Sequence, residues 1–150
     1  MGMAGEGQID DRVWIVKSHF PERIGRAKFA ANKCIIIVRN PLDSIFSLFN
    51  MVATTTHSES ISQEALDKLL KSTNLWDKFI RQEVSVWADF HNYWLEKRAI
   101  VPTYFVRYED LLEDPGNTLA EMSKFIVGAN TLDEYPGITS MIDEITTSSQ

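Results

Sequence analysis

The feature that most constrains the fold is an apolar run that ends directly in a helix-start signal. Residues 33–38 read Lys-Cys-Ile-Ile-Ile-Val, β-branched and apolar on both faces, as expected of a parallel strand covered on both sides. Asn40 is then a favourable N-cap residue, and Pro41 is favourable at the first helical position. Asp43 lies in the first turn, where its negative charge favours the helix start. The segment therefore predicts a strand that leads directly into a helix.

Further strands and helices are predicted from apolar residues that recur at the matching spacing. The additional strands are residues 13–16 and 103–107, and the helices are residues 41–52, 62–71, 73–98 and 114–127. The aromatic residues of the long helix recur at helical spacing, and core packing explains them better than a cofactor site. Because strands alternate with helices, the sequence predicts an α/β fold with a parallel sheet.

The composition narrows the classes of function. The 150 residues include 15 Lys and Arg against 21 Asp and Glu, a formal charge of −6. This balance argues against a general nucleic-acid or membrane-surface binder but leaves room for one basic site. The single cysteine, Cys34, excludes an intrachain disulfide and is expected to be a small buried apolar residue. One cysteine and three separated histidines form no zinc signature, so no metal is expected.

No membrane-spanning or secretion segment is visible in this sequence. The longest purely apolar run, residues 34–38, is far shorter than the ~20 residues of a transmembrane helix. The first eight residues lack both a basic region and an apolar stretch. We therefore expect no membrane contact within this chain.

Polar side chains follow each predicted strand. Lys17 and His19 follow the first strand, Arg39 follows the second, and Arg107 with Tyr108 ends the third. In an open α/β sheet, ligands bind beyond the carboxyl ends of the strands. We therefore expect these side chains to converge on one site.

The segment from Arg39 to Ser47, here called the anion cradle, is the most informative of these endings. Arg39 leaves the strand where a helix begins, and such a helix end presents free N–H groups and a positive dipole. The arginine fork is also suited to phosphate. Alternatively, Arg39 forms only a salt bridge with a nearby carboxylate and Ser47 is an ordinary helix residue. Spacing alone does not separate these two interpretations.

Lys17 and His19 are two residues apart, so in extended backbone they lie on one side of the chain. An imidazole and an ammonium placed together could take a proton from a hydroxyl and stabilise charge on a transferring group. The alternative is that His19 is a loop histidine with local hydrogen bonds, which for a lone histidine is the better interpretation from the residues alone.

Three segments together resemble the sulfotransferase family. Residues 17–21, Lys-Ser-His-Phe-Pro, are similar to its Lys-Thr-His-x-Pro segment. Residues 36–47 resemble its 3′-phosphate-binding segment, with Arg-Asn-Pro-x-Asp and a serine eight residues after the arginine. Residues 107–115, Arg-Tyr-Glu-Asp-Leu-Leu-Glu-Asp-Pro, are similar to its Tyr-Glu-Asp-Leu segment and the helix that follows. The three occur in the family's order.

The resemblance implies the donor 3′-phosphoadenosine 5′-phosphosulfate (PAPS), adenosine 3′,5′-bisphosphate (PAP) as product, and a small-molecule or glycan acceptor with a hydroxyl or amine. It implies that Arg39 and Ser47 hold the 3′-phosphate and that Tyr108 lies near the adenine. His19 would be the general base, and Lys17 would stabilise charge near the sulfuryl group. The implied architecture is the three-layer, P-loop-NTPase-like sulfotransferase fold with a central parallel sheet.

The sequence also departs from the family pattern. The family's 5′-phosphosulfate segment, Lys/Arg-Ser-Gly-Thr in type, has no counterpart before residue 13, and its late Arg-Lys-Gly segment is absent. We therefore expect a domain truncated at both ends, with residues 1–11 a flexible lead and residues 12–150 a partial sulfotransferase domain. An inactive nucleotide-binding remnant of the same fold is the alternative. A P-loop kinase is disfavoured because no Walker A pattern occurs, and an interaction module built on residues 73–98 leaves the strand endings unexplained.

The compartment and the oligomeric state are left open by the sequence. The family has cytosolic members and Golgi members with N-terminal anchors. The cytoplasm is slightly favoured for the chain as it stands, and the Golgi lumen would follow from an upstream anchor.

Overall fold

The computed structural model describes residues 15–17, 31–56, 58–72 and 74–148. The chain divides into two units, Met1–Asn32 and Lys33–Gln150, and the second contains all the helices and strands of the described residues. In chain order these elements are β1 (Cys34–Val38), α1 (Pro41–Thr54), α2 (Gln63–Ser72), α3 (Leu75–Lys97), β2 (Thr103–Arg107), α4 (Tyr108–Glu113), α5 (Pro115–Val127) and α6 (Pro136–Ser148).

The two strands form a parallel pair that runs in register from Cys34↔Thr103 to Val38↔Arg107. The crossover between them contains α1, α2 and α3. Parallel strands joined through helices make this an α/β fold, as the sequence predicts. Ile36 and Val106 are buried within the pair and belong to its apolar core.

One face of β1 is less covered than the sequence predicts. Ile36 is buried, whereas Ile37, which points to the opposite face, is 52% exposed. The helices that pack extensively against the sheet, α4 and α5, do so through β2. The expectation of a strand covered on both sides is therefore wrong for this part of β1.

The strand predicted at residues 13–16 is absent where the structure describes it. Ile15 and Val16 have no strand structure and are 64% and 37% exposed. A strand needs a hydrogen-bonded neighbour, and the sheet within the described residues contains only β1 and β2. Residues 13 and 14 lie outside the described residues.

Helix α1 begins as its sequence predicts. The Asn40 side-chain oxygen accepts a hydrogen bond from the Leu42 N–H at 2.9 Å, and Pro41 occupies the first helical position. The helix buries Ile45 and Phe49 on one face.

Aromatic side chains join α1 to α3. The Phe49 ring lies 4.9 Å from Trp76 and 5.4 Å from Phe79, measured between ring centroids. The interpretation of the Trp76 and Phe79 rings as core packing is thereby confirmed. Because the start of α1 lies near Trp87 and its later turns lie near Trp76, the two helices run antiparallel.

Helix α5 also has the ends that the sequence predicts. The Asp114 carboxylate accepts a hydrogen bond from the Asn117 N–H, and the helix stops at Gly128, whose φ is +76°. The Lys33 ammonium donates to the carbonyls of Phe125 and Ile126 at 2.8 and 2.9 Å. These bonds give partners to two carbonyl groups in the last turn of α5 and connect that turn to the residue that precedes β1.

Helices α4 and α6 are not among the predicted elements, although Pro136 occupies the start of α6. The hydroxyls of α6 bond back to the helix backbone, as in the 2.9 Å bond from Thr146 to the Ile142 carbonyl. None of the helices in the described part of the chain is long and apolar enough to cross a bilayer.

Candidate functional site

The parallel register brings the carboxyl ends of β1 and β2 to the same edge of the sheet. Val38 pairs with Arg107, so Arg39 and Tyr108 are the next residues on the two chains. The Arg39 guanidinium carbon lies 4.8 Å from the centroid of the Tyr108 ring. This distance is within the range of a cation–π interaction. The structure therefore joins two of the three polar strand endings that the sequence predicts to converge.

The peptide bond between Arg39 and Asn40 is contacted by two side chains from other elements. The Trp87 indole N–H on α3 donates to the Arg39 carbonyl at 3.3 Å. The Asn40 N–H donates to the Glu109 carboxylate on α4 at 2.9 Å. Both polar atoms of this one peptide unit are thus bound by side chains that are distant in sequence.

The hydrogen bond from Asn40 to Glu109 affects the charge of the site. Accepting the Asn40 N–H is the largest cause that lowers the pKa of Glu109, followed by a bond to the Glu109 N–H itself. Slight burial acts in the opposite direction, and the positive charges of Arg107 and then Arg39 lower the pKa further. Arg39 contributes least of these causes. The attraction between Arg39 and Glu109 is thus a small part of what keeps this carboxylate ionised.

The start of α1 offers fewer backbone donors to an anion than the sequence predicts. Pro41 has no N–H, and the Leu42 N–H is bound by the Asn40 side chain. The Ser44 N–H is bound by the Asn40 carbonyl, and Asp43 adds a negative charge in the first turn. An anion at this edge would therefore depend on the Arg39 guanidinium rather than on free N–H groups.

Ser47 lies further along α1, on its exposed side. It is six positions after Pro41, which is about 9 Å along the helix axis. It is two residues from both buried side chains, Ile45 and Phe49, so it projects roughly 200° away from each. The described contacts do not join Ser47 to Arg39.

The other two predicted site residues belong to the first unit. Lys17 is exposed. His19 lies outside the described residues, so the predicted pairing of its imidazole with the Lys17 ammonium stays a prediction. Arg107, which ends β2, forms a salt bridge with Asp110 at 3.2 Å on the exposed surface.

Two contributors to this edge were not identified from the sequence as site residues. The helical spacing predicts Trp87 as a core residue. The signal for a further role is that a partly buried indole N–H usually has a hydrogen-bond partner. Glu109 lies within the Tyr-Glu-Asp segment, but the sequence predicts no separate role for it. One turn before Trp87, Glu83 is 4% exposed on the same stripe of α3. A carboxylate in an apolar stripe was a further signal of a polar environment.

One cavity within the described residues lies apart from the anion cradle. It has a volume of about 280 Å³ and lies between β2, α4 and α5. Its lining includes the carboxyl groups of Asp110, Glu113, Asp114 and Glu121. A negative lining disfavours a phosphate or sulfate, so the cation at Arg39 is the better fit for an anionic ligand. No cluster of metal-ligating side chains occurs in the part of the chain that the structure describes.

Comparison with curated proteins identifies relatives over most of this chain. Sulfotransferase 1B1 of Mus musculus is 27% identical over 80% of this chain and 38% of its own length. The amine sulfotransferase of Oryctolagus cuniculus is 28% identical over 73% of this chain and 35% of its length. The 3-alpha-hydroxysteroid sulfotransferase of Cavia porcellus is 25% identical over 81% of this chain and 40% of its length.

The chain thus spans at most two fifths of the length of these relatives. No solved structure matches it significantly. The family model described as "Sulfotransferase domain" matches residues 8–141. Since this match covers most of the sequence and includes both strands of the Arg39 edge, the chain belongs to the sulfotransferase domain family.

Proposed function

We propose that this chain binds PAPS and takes part in sulfuryl transfer to a hydroxyl or amine acceptor. The observation that carries the proposal is the Arg39 guanidinium against the Tyr108 ring, at the carboxyl edge of the parallel strands. A planar cation suits a phosphate, and an aromatic ring beside it suits a nucleobase. Family membership supports sulfuryl transfer as the reaction class.

In this proposal Arg39 and Ser47 bind the 3′-phosphate, and Tyr108 contacts the adenine. His19 takes the proton of the acceptor while the acceptor oxygen or nitrogen forms a bond to sulfur. The bond from sulfur to the 5′-phosphate oxygen of PAPS breaks, and PAP leaves with that electron pair. Lys17 stabilises the negative charge near the transferring group. Positioning and charge stabilisation supply the rate, and no step uses a metal ion.

The names of the relatives bear on the acceptor. One is named as an amine sulfotransferase and another as a hydroxysteroid sulfotransferase, so both acceptor types occur among them. We therefore propose a small-molecule acceptor and test both types. That all three relatives are named as sulfotransferases favours an enzyme over an inactive remnant. We further propose that β1 and β2 belong to a three-layer sheet architecture of the P-loop type.

Calorimetry of PAP binding tests the Arg39 assignment. Hydrogen bonds to charged groups contribute about 1.5–3 kcal/mol, so Arg39→Ala should weaken PAP binding roughly 10- to 150-fold. Arg98→Ala is the matched control, since it removes the same charge from an exposed position just beyond the end of α3, before β2 begins. Equal PAP affinity in the Arg39→Ala variant and the wild type would rule out the 3′-phosphate assignment.

Transfer of labelled sulfate from PAPS tests the catalytic proposal. A phenol, an amine and a hydroxysteroid serve as acceptors, with the wild-type chain and His19→Ala compared at matched PAPS saturation. A general base contributes about 10²–10⁴-fold, so the variant should lose most of its turnover. Full turnover without His19 would remove it as the base. PAP binding with no transfer to any acceptor would favour the inactive nucleotide-binding alternative.

A further inference from the structure

Arg39 is followed by a peptide bond whose two polar atoms are both bound by side chains. The Arg39 carbonyl accepts from the Trp87 indole at 3.3 Å, and the Asn40 N–H donates to Glu109 at 2.9 Å. A trans peptide is planar, so its carbonyl and N–H point in opposite directions. The two side chains therefore contact opposite edges of this peptide unit.

These contacts connect three elements of secondary structure. Trp87 belongs to α3, Glu109 belongs to α4, and the peptide bond joins β1 to α1. Fixing the peptide plane restricts ψ of Arg39, the torsion that relates this plane to the direction in which the Arg39 side chain leaves the backbone. The guanidinium reaches the Tyr108 ring from that backbone position.

The Trp87 ring is itself held in place. The His91 ring packs against it at an interplanar angle of 35°, with centroids 4.0 Å apart. His91 Nδ1 lies 2.6 Å from the Trp87 carbonyl, and because a carbonyl only accepts, Nδ1 is the donor. The indole N–H that donates to the Arg39 carbonyl is thus held in position by packing along α3.

Backbone satisfaction alone is a weak reason for the Glu109 contact. Asn40 is exposed, so water could bind its N–H at little cost if Glu109 were absent. A charged acceptor is a stronger partner for that N–H than water or a neutral group. The hydrogen bond from Asn40 to Glu109 is therefore not explained by the need to pair the Asn40 N–H.

We propose that Trp87 and Glu109 are positioning residues: they clamp the Arg39–Asn40 peptide bond and hold the Arg39 guanidinium over Tyr108, where it binds the 3′-phosphate. Here the pair is called the peptide clamp. The proposal rests on the proposed function only for the identity of the anion. Neither side chain touches the ligand in this scheme, since both act through the backbone of Arg39.

The test of the clamp's effect on binding compares PAP with AMP, which lacks the 3′-phosphate. Trp87→Phe removes the indole N–H and keeps an aromatic ring. Glu109→Ala and Glu109→Gln remove the same charge, but only the glutamine keeps a side-chain acceptor. Losing one hydrogen bond corresponds to about 2- to 12-fold in affinity. We expect PAP to bind several-fold more weakly to Trp87→Phe than to wild type, and to Glu109→Ala than to Glu109→Gln, with AMP binding unchanged.

The control for a merely structural effect is Trp76→Phe, the same substitution on the same helix. Trp76 packs against Phe49 rather than against Arg39. This variant should lose stability without changing the ratio of PAP to AMP affinity. A ratio that falls equally in Trp76→Phe and Trp87→Phe would show that general loosening of α3, and not the clamp, controls binding.

A ligand-free measurement keeps this inference separate from the proposed function. The Tyr108 ring should displace the Arg39 side-chain NMR resonances, and Tyr108→Leu gives their position without a ring. In Trp87→Phe and Glu109→Ala, the Arg39 side-chain resonances should move toward the positions they have in Tyr108→Leu. Resonances unmoved in both variants would overturn the clamp.

The two proposals therefore fail by different results. An unchanged PAP-to-AMP ratio in Arg39→Ala refutes the proposed function, while the NMR shifts still decide the clamp. The clamp alone is refuted by a different pattern of PAP-to-AMP affinity ratios. In that pattern the ratio falls strongly in Arg39→Ala, stays at the wild-type value in Trp87→Phe, and is equal in Glu109→Ala and Glu109→Gln.

Discussion

Arg39 and Ser47, the two ends of the anion cradle, are held by different kinds of contact. Arg39 lies among polar and aromatic partners from α3 and α4, namely Trp87, Glu109 and Tyr108. Ser47 is exposed on α1, and its direction depends on how the opposite, apolar face of that helix packs. Two residues eight positions apart in one motif can thus be positioned independently, one by hydrogen bonds and the other by hydrophobic burial.

The largest expected effect comes from disrupting the apolar face of α1, which lies opposite Ser47. Phe49 is buried against Trp76 and Phe79, so Phe49→Ala should lower the free energy of unfolding by about 3 kcal/mol or more. Phe46 is 41% exposed with an edge contact to Trp76, so Phe46→Ala should cost clearly less, about 1 kcal/mol. Urea unfolding measures both. Equal losses would show that α1 is not anchored through its Phe49 face.

The next effect concerns the Ser47 hydroxyl itself. Ser47→Ala should change the free energy of unfolding by less than about 0.5 kcal/mol because the side chain is exposed. If its hydroxyl binds the 3′-phosphate, PAP affinity should fall by about 10-fold, the low end for a bond to a charged group. Ser140→Ala, an exposed serine on α6, is the control for calorimetry. Unchanged PAP affinity in Ser47→Ala would reduce the anion cradle to its Arg39 end.

A smaller effect is expected at the junction between the two ends. Asn40→Ala removes the acceptor for the Leu42 N–H and should destabilise the protein by about 1 kcal/mol. Asn40→Ser keeps an N-capping hydroxyl and should retain most of the stability. The hydrogen bond from the Asn40 N–H to Glu109 belongs to the backbone and persists in both variants. A loss of the same size in Asn40→Ser would mean that the asparagine contributes something other than a cap.

The local signals of the sequence were sufficient for β1, β2 and the start of α1, but not for α4, which none of the predicted helices covers. Asn40, Pro41 and Asp43 occupy the helix positions that their chemistry favours, and the two apolar runs pair in parallel. The sequence does not predict helix α6 because its threonines and serines are weak helix formers, and their bonds to the backbone appear only once the helix has formed.

The contacts that position Arg39 depend on partners distant in sequence. Trp87 lies 48 residues from Arg39, and Glu109 lies 69 residues from Asn40, so no local pattern specifies either bond. The side chains on the sheet edge could be predicted because parallel strands bring their carboxyl ends together. Which backbone atoms they bind depends on the docking of α3 and α4, and therefore on packing. The exposure of Ile37 is a matter of tertiary coverage for the same reason.

The smallest expected effect is a pH dependence at Glu109, and its sign follows from the hydrogen bond. The folded-state pKa of Glu109 is lowered from 4.5, so its stabilising contribution is fully present above that pH and is lost as the pH falls through the lowered value. The stability difference between wild type and Glu109→Ala, which loses both the charge and the acceptor, should therefore be largest near neutral pH and should shrink below pH 4.5. Because the Asn40 hydrogen bond contributes more than the Arg107 and Arg39 charges, added salt should reduce this difference only slightly. Urea midpoints at several pH values, with and without salt, measure it. A difference that grows as the pH falls, or that salt abolishes at neutral pH, would show that Glu109 acts as a screened surface charge and not as the acceptor for the Arg39–Asn40 peptide.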